Sequence, residues 1–383
     1  MNWKIPLFKI YHDAQDIKQV TDVIKGGKAW AIGPHIEKFE QRIAEYIGIN
    51  HALVFNSGTS ALHAILLAFN VQEGDEIIVP SFTFIATANS PLFVKAKPVF
   101  AEIEEQTYGL DPQDVERKIT PRTRAIMPIH YLGCPCSIAD LQHIAHKHNL
   151  LLIEDAAEAF GAKLDKSMVG SLGDASALSF CQNKIISTGE GGAVVTNSAQ
   201  LCQKLKLIRS HGRQDVSNYF SSIEDADYID IGYNFRMSDI TAALGLSQLD
   251  KVDKMIEMRR SNASYLNRRL SGIRQITVPT APGGYHHVYQ AYTIRLKGRG
   301  HLRDKLRHFL AQRGIMSKVY FHPVHLTQFY RNSFGWKHGD LPATERVASE
   351  VLTLPMFPAL TEKEMDYMVQ QIEVFFNTQD GDK

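Results

Sequence analysis

The chain has 383 residues, more than a single hydrophobic core usually serves, so its length predicts two domains. Hydrophobic residues make up 44% and charged residues 22%, and the net charge is +1, so we expect neither nucleic-acid nor membrane binding. There is no apolar run of bilayer length, no signal-peptide core and no cysteine spacing typical of a metal site, which predicts a cytoplasmic protein without a metal.

The first 50 residues open with an irregular segment that leads into an amphipathic helix. The apolar residues that recur there at helical spacing are Ile36, Phe39, Ile43 and Tyr46. A Gly-Pro turn at residues 33–34 precedes this helix and separates it from the segment before it. Trp30 lies just before the turn, where it could either line a site or anchor the core.

From residue 51 onward, apolar strands alternate with helices. The predicted strands cover residues 51–55, 76–80, 97–103, 123–131, 150–154, 175–180 and 193–196, and the predicted helices cover 61–69, 84–94, 112–119 and 138–148. This alternation predicts an α/β domain with a mainly parallel central sheet covered by helices on both faces. In such sheets, ligands bind beyond the carboxyl ends of the strands.

Residues 56–60, Asn-Ser-Gly-Thr-Ser, join the first strand to the following helix. Small and hydroxyl residues at a helix start leave backbone N–H groups available, and the helix dipole there favours a phosphate group. Ordinary capping of the helix by Ser57 or Thr59 explains the same residues.

Asp155 follows the apolar strand at 150–154, where an ionised carboxylate needs a hydrogen-bonding partner. The carboxylate could cap the turn that follows, or it could pair with the protonated pyridine nitrogen of pyridoxal phosphate (PLP) and support its role as an electron sink. Phe84, at the start of a predicted helix, could stack on the same ring or belong to the core.

Lys184 lies between the strand at 175–180 and a Gly-Glu-Gly-Gly turn at 189–192. A lysine whose backbone is fixed in this way can project into a cleft. An amine is a nucleophile only when it is neutral, and a carbonyl cofactor captures it in that form. The hypothesis is that Lys184 holds PLP, and the alternative is a solvated surface lysine.

The second half of the chain predicts a smaller domain. Residues 213–229 are polar and predict a surface loop, and Ser238 predicts the N-cap of a long helix from Ile240 to about Leu270. We expect a large domain over residues 1–249 and a C-terminal α+β domain over 250–383. The predicted elements of the C-terminal domain are a strand at 288–296 and helices at 302–313 and 361–376.

Six stretches, in this order, resemble the StrS/DegT group of sugar-nucleotide aminotransferases, which are fold type I PLP enzymes. They are residues 56–62, 80–84, 154–159, 183–184, 188–192 and 232–238, and the similarity extends from Gly33-Pro34 to the Leu-Pro-Met-Phe-Pro stretch at 354–358. The resemblance implies a PLP-dependent aminotransferase that acts as a homodimer with a shared active site.

The resemblance also implies a role for each site residue. Lys184 would bind PLP covalently and move the proton between the substrate carbon and the cofactor carbon. Asp155 would pair with the pyridine nitrogen, and Glu158 would lie near the phenolic oxygen. The remaining cofactor contacts would come from Gly58, Thr59 and Ser179 at the phosphate, Phe84 on the ring face, and Asn234 reaching the phosphate of the neighbouring subunit.

The presence of Lys184 favours transamination, because the dehydrases of this group lose the lysine. In this resemblance, the stretches at 183–184 and 189–192 favour a 4-amino sugar product. The expected substrates are therefore a nucleotide-linked 4-keto-6-deoxyhexose and an amino acid, most simply glutamate. The product would serve amino-sugar biosynthesis for a polysaccharide, another glycan or a natural product. Candidate substrate contacts are Trp30, Arg236 and His322. The alternatives are a PLP-dependent sugar dehydrase and a non-enzymatic regulator on the same fold.

Overall fold

The computed structural model describes residues 3–214, 223 and 225–380. Its strands are β1 (His51–Phe55), β2 (Glu76–Pro80), β3 (Lys97–Ala101), β4 (Thr123–Ile126), β5 (Leu151–Asp155), β6 (Lys163–Leu164), β7 (Ser167–Met168), β8 (Ala175–Ser179), β9 (Gly192–Thr196), β10 (Arg213–Gln214), β11 (Asp227–Tyr228), β12 (Tyr285–His286), β13 (Tyr292–Arg295) and β14 (Val351–Leu354). Its helices are α1 (Ala14–Gly26), α2 (Pro34–Ile47), α3 (Gly58–Ala68), α4 (Ile85–Phe93), α5 (Pro112–Lys118), α6 (Ile138–Lys147), α7 (Ala199–Arg209), α8 (Asp239–Leu249), α9 (Val252–Leu270), α10 (Gly300–Gln312), α11 (Gln328–Phe334), α12 (Pro342–Glu350) and α13 (Glu362–Asp380).

A seven-stranded sheet in the order β1-β9-β8-β5-β4-β2-β3 forms the centre of the large domain. Strands β3, β2, β4, β5 and β8 pair in parallel, whereas β9 pairs antiparallel with both β8 and β1. Helices α3, α4 and α7 pack on one face, and α2, α8, α5 and α6 pack on the other. The prediction of a mainly parallel sheet covered on both faces is therefore confirmed.

The strand pattern decides which side chains reach each face, because successive residues of a strand point to opposite sides. Leu53 and Phe55 of β1 join the core beneath α3, whereas Ala52 and Val54 join the core beneath α2. The four residues of β1 from Ala52 to Phe55 are buried, as expected of a strand covered on both faces.

The C-terminal part of the chain has its own core around the antiparallel pair β13–β14. Helices α9, α10 and α13 cover this pair, and Ile5 from the N-terminal segment joins the same core. The backbone N–H of Ile5 donates to the carbonyl of Gly314, so the start of the chain packs against the C-terminal part. The boundary at residues 249/250 stays a prediction.

The prediction of one helix from Ile240 to Leu270 is wrong. Ser238 does cap α8, because its side chain accepts a hydrogen bond from the Thr241 N–H, but α8 ends at Leu249 and α9 begins at Val252. Between them, the Lys251 ammonium is buried against Asp13 (2.7 Å) and Asp16 (3.0 Å) from the N-terminal segment. The break between α8 and α9 therefore coincides with the contact of Lys251 with Asp13 and Asp16.

Other differences concern short or atypical elements. The strand predicted at 123–131 ends at Ile126, and a 3₁₀ turn covers Tyr131–Gly133. The segment predicted as a loop at 213–229 lies partly outside the described residues, and its described ends pair as β10 and β11. No described helix is both long enough and apolar enough to traverse a bilayer.

Candidate active site

The carboxyl ends of β5 and β8 bring the predicted cofactor residues together. Asp155 is the last residue of β5 and Ser179 is the last residue of β8, and the chain turns after β8 to present Lys184. The backbone N–H of Lys184 donates to the Cys181 carbonyl at 2.9 Å, which closes this turn. The lysine is thus held by local structure at the edge where parallel sheets bind ligands.

The amine of Lys184 contacts Glu158. Its Nζ lies 3.4 Å from Glu158 Oε1, with the lysine side chain 12% exposed and the glutamate side chain 2% exposed. The other carboxylate oxygen, Oε2, accepts the Leu132 N–H at 2.9 Å, so the glutamate is fixed by the backbone of the 3₁₀ turn. The prediction of a solvated surface lysine is therefore wrong.

The C-terminal part of the chain holds the residue before the lysine. The side-chain amide of Asn183 donates to the Tyr320 hydroxyl at 3.1 Å, and the Gln290 amide donates to the Asn183 carbonyl. Both parts of the molecule therefore fix the position of Lys184.

Asp155 is buried and accepts two described hydrogen bonds. The Thr87 hydroxyl donates to Oδ2 at 2.6 Å, and the Ala157 N–H donates to Oδ1 at 3.1 Å. Burial raises the pKa of Asp155, and these two donors together with the nearby Lys184 offset only part of that effect. The Ala157 bond is the predicted turn cap, and a cationic partner would offset more of the cost of burying this carboxylate.

The start of α3 lies against the ends of β8 and β9. Ser57 caps the helix, since its Oγ accepts the Ser60 N–H at 3.0 Å, as predicted. A Cβ added to Gly58 would lie 3.0 Å from the Ser179 Cβ, and one added to Gly192 would lie 2.5 Å from the Ser57 carbonyl carbon. Because both positions are glycine, the N-terminus of α3 can approach the strand ends closely. Thr59 lies in the first turn of this helix.

Comparison with known proteins assigns the chain to a family. A sequence profile of the DegT/DnrJ/EryC1/StrS aminotransferase family matches residues 11–373. The chain belongs to this family. Its aminotransferases depend on PLP.

Three proteins show how similar this chain is to other sugar aminotransferases in sequence and in structure. The GDP-perosamine synthase of Caulobacter vibrioides is 39% identical over 345 residues, which cover 90% of each chain. PseC of Helicobacter pylori, an aminotransferase involved in the biosynthesis of pseudoaminic acid, is 30% identical, with a TM-score of 0.92 over 98% of this chain and 99% of PseC. The PLP form of Spr1654 from Streptococcus pneumoniae is 25% identical, with a TM-score of 0.92 over 98% and 99% of the two chains. These neighbours confirm the fold type I architecture.

The residues of this family member fit PLP. The cofactor needs a primary amine, an acid for its ring nitrogen and a place for its phosphate. Lys184 and the buried Asp155 would supply the amine and the acid, and the helix start at Gly58, close to Ser179, would supply the place for the phosphate, all at one edge of the sheet.

The residues predicted to contact the ring and the substrate lie at more exposed positions. Phe84 is 52% exposed, and its ring centroid lies 5.5 Å from that of Phe321. The exposed His322 follows directly, with its Nδ1 lying 3.1 Å from the Pro323 carbonyl. The chain therefore places Phe84 beside the segment that carries His322.

Three further candidates lie around α8 and β1. Trp30 is 53% exposed, and its carbonyl accepts the Asp239 N–H. Arg236 forms a β-bridge with Phe55, and the exposed Asn234 accepts a hydrogen bond from the Asn56 side chain at its carbonyl. These contacts fix the backbone near the start of α3, and the roles of the three side chains stay predictions.

Sequence reasoning missed two residues of the site, Thr87 and Tyr320. Thr87 lies within the helix predicted at 84–94, one turn after Phe84, and Tyr320 lies two residues before the candidate His322. Each acts through a contact with a distant part of the chain, which spacing alone does not reveal.

Proposed function

We propose that the protein is a PLP-dependent aminotransferase that transfers the amino group of glutamate to a nucleotide-linked 4-keto-6-deoxyhexose. The observation that carries the proposal is the contact between Lys184 Nζ and Glu158 Oε1 (3.4 Å) at the carboxyl ends of β5 and β8. The family supplies the coarser conclusion that the chain is a sugar aminotransferase. The retained lysine supports amino transfer over dehydration.

Each cofactor residue has a chemical task in this proposal. PLP, when bound, supplies an electron sink that stabilises negative charge at the substrate carbon. Asp155 would hold the protonated ring nitrogen, and the start of α3 would hold the phosphate through the residues Gly58 and Thr59, with Ser179 beside them. Phe84 would cover one face of the ring.

Lys184 would then act as the general base and acid. Its Nζ would take the proton from the α carbon of glutamate and return a proton to the sugar carbon in the second half of the cycle. Glu158 accepts a hydrogen bond from Nζ and is itself fixed by the Leu132 N–H, so it would hold the amine within reach of the reacting carbon.

The substrate end of the proposal rests on fewer observations. Trp30, Arg236 and His322 are the candidate sugar-nucleotide contacts, and the similarity to a GDP-perosamine synthase makes a GDP-linked sugar the first substrate to test. The Asn234 side chain would serve the phosphate site of a second copy in a homodimer, which is consistent with its exposure in one chain. A cytoplasmic location would give access to nucleotide sugars and glutamate.

The visible absorption spectrum of the purified protein tests the proposal. We expect a band of bound PLP in the wild type that disappears when glutamate is added. In Lys184→Ala the glutamate-dependent change should slow by about 10²- to 10⁴-fold, because the proton-transferring group is gone. Lys166→Ala is the matched control, since Lys166 is exposed in the turn between β6 and β7.

The same experiment separates the alternatives. A colourless protein that cannot be reconstituted with PLP would contradict the proposal and favour a non-enzymatic binding protein. A dehydrase would bind PLP but would consume the keto sugar without adding nitrogen to it, and product analysis would reveal that outcome.

A further inference from the structure

Two buried hydroxyl groups, those of Thr83 and Thr87, form a hydrogen-bonded row that leads to the carboxylate of Asp155. The Thr83 and Thr87 hydroxyl oxygens lie 2.7 Å apart, and the Thr87 hydroxyl lies 2.6 Å from Asp155 Oδ2. The exposed fractions of Thr83, Thr87 and Asp155 are 1%, 0% and 2%. The row is therefore shielded from solvent along its length.

The direction of these hydrogen bonds follows from the number of protons available. A threonine hydroxyl carries one proton, and Thr87 uses it to donate to Asp155. Thr83 must then donate to Thr87, so the row runs from Thr83 through Thr87 to the carboxylate. With the Ala157 N–H on Oδ1, each oxygen of Asp155 accepts a hydrogen bond, which suits an ionised carboxylate.

The two threonine hydroxyls are buried where α4 and the residues just before it pack on the sheet, and Ser90 is a further buried hydroxyl of this helix. Helix α4 turns Ala86, Thr87 and Ala88 inward, and it packs on the side of the sheet that Asp155 faces. A buried hydroxyl costs free energy unless it forms hydrogen bonds, and an alanine or valine would fill this space without that cost. The hydroxyl of Thr87 therefore has a task beyond packing.

Burial opposes the charge that Asp155 needs to hold a protonated ring nitrogen. It raises the pKa of Asp155, Lys184 nearby acts to lower that pKa, and Glu158 acts to raise it. The Thr87 hydroxyl opposes the effect of burial more than the Ala157 N–H or Lys184 does.

We infer that Thr87, oriented by Thr83, is a positioning residue that keeps Asp155 ionised and turned toward the ring nitrogen of PLP. The inference rests on the proposed function, because it assigns the partner that Asp155 is held for. Thr87 acts through Asp155, and Thr83 acts through Thr87.

The apoprotein provides a direct test that needs no cofactor. Carbon-13 NMR of the aspartate carboxyl groups, with the Asp155 signal assigned from Asp155→Asn, gives the pH midpoint of its ionisation. In Thr87→Val, which keeps the shape and removes the hydroxyl, we expect the midpoint to rise by about one pH unit or more. Thr87→Ser restores the hydroxyl and should restore most of the midpoint, and Thr83→Val should give a smaller rise.

A second readout uses the protein with PLP. In Thr87→Val we expect kcat to fall by about tenfold with little change in the sugar KM, because Asp155 acts on the cofactor and not on the sugar. Thr87→Ser should remain within a few-fold of the wild type. Should Thr87→Val fail to fold, Thr83→Val and Thr87→Ser still report on the row.

The outcomes separate this inference from the proposed function. An unchanged Asp155 midpoint in Thr87→Val, in a protein that binds PLP, would show that Thr87 only packs and would overturn the inference alone. A wild-type protein that binds no PLP would overturn the proposed function and, with it, the role of the row toward the ring nitrogen.

Discussion

Two neighbouring carboxylates, Glu154 and Asp155, lie on opposite faces of β5 and have different surroundings. Glu154 is 0% exposed and accepts hydrogen bonds from four donors, namely His130 Nε2 (2.9 Å) and the backbone N–H groups of Gly170 (2.9 Å), Leu172 (2.8 Å) and Gly173 (2.7 Å). Asp155 is 2% exposed and accepts hydrogen bonds from Thr87 and Ala157. One strand thus carries a carboxylate with four protein donors next to a carboxylate with two.

The histidine partner of Glu154 is fixed in one tautomer. The Cys136 N–H donates to His130 Nδ1 at 3.2 Å, so the ring donates to Glu154 through Nε2. Burial acts against the charge of Glu154, but His130 and the backbone donors outweigh it and lower the pKa of Glu154. Glu154 thus links β5 to the segments 130–136 and 170–173, and protein donors already satisfy both of its carboxylate oxygens.

The difference shows how to distinguish a structural carboxylate from one that is arranged for a ligand. Donors from the protein lower the pKa of Glu154, whereas burial raises the pKa of Asp155. A partner that brings positive charge would compensate Asp155 and would have nothing to add at Glu154. The predictions below test this contrast.

The largest expected effect is on activity, in Asp155→Asn. An amide cannot pair with a protonated ring nitrogen as a carboxylate does, so the glutamate-dependent spectral change should slow by about 10³-fold, or ~4 kcal/mol. The unfolding free energy of the apoprotein, from urea denaturation, should change by less than about 1 kcal/mol, because the variant removes a poorly compensated buried charge. Loss of stability as large as the loss of activity would contradict the contrast.

The matched variant on the other face is Glu154→Gln. The NH₂ group of the glutamine would face N–H groups that now donate to Glu154, and these hydrogen bonds would be lost. We therefore expect the unfolding free energy of the apoprotein to fall by about 3 kcal/mol. Urea denaturation measures this loss. A variant as stable as the wild type would show that the four hydrogen bonds contribute little.

The smallest expected effect is an opposite pH dependence of stability in the two variants. The raised pKa of Asp155 means that its contribution to stability is present below the ordinary aspartate pKa and is lost as the pH rises. The lowered pKa of Glu154 means that its contribution is present above the ordinary glutamate pKa and is lost as the pH falls.

Urea denaturation of the apoproteins at several pH values measures both trends. Relative to Asp155→Asn, the wild type should lose stability as the pH rises above the ordinary aspartate pKa. Relative to Glu154→Gln, it should lose stability as the pH falls below the ordinary glutamate pKa. If stability changed with pH in the same direction in both comparisons, the contrast between a structural Glu154 and a ligand-binding Asp155 would be contradicted.

The sequence predicted the central sheet and the places of Asp155 and Ser57 in it, because these depend on local patterns. The alternation of apolar strands with helices placed Asp155 at a strand end, and the hydroxyl residues before α3 indicated its cap at Ser57. Such features need only the spacing of residues that are close in the chain.

The elements that the sequence missed depend on contacts between distant residues. Helix α1 is an exception, because its signals are local: Asp13 caps it, and Ile17, Val20 and Ile24 recur at helical spacing. The break between α8 and α9 is fixed by Asp13 and Asp16, far from Lys251 in the chain. The pair of His130 with Glu154 is likewise visible only in the folded protein.

Transfer of nitrogen-15 from labelled glutamate tests the central claim most directly. The purified protein would be incubated with PLP, [¹⁵N]glutamate and 4-keto-6-deoxyhexoses linked to GDP or to other nucleotides, and the sugar products would be analysed by mass spectrometry. The account predicts a labelled amino sugar with the wild type and none with Lys184→Ala. A sugar that is consumed by the wild type without gaining labelled nitrogen would contradict it.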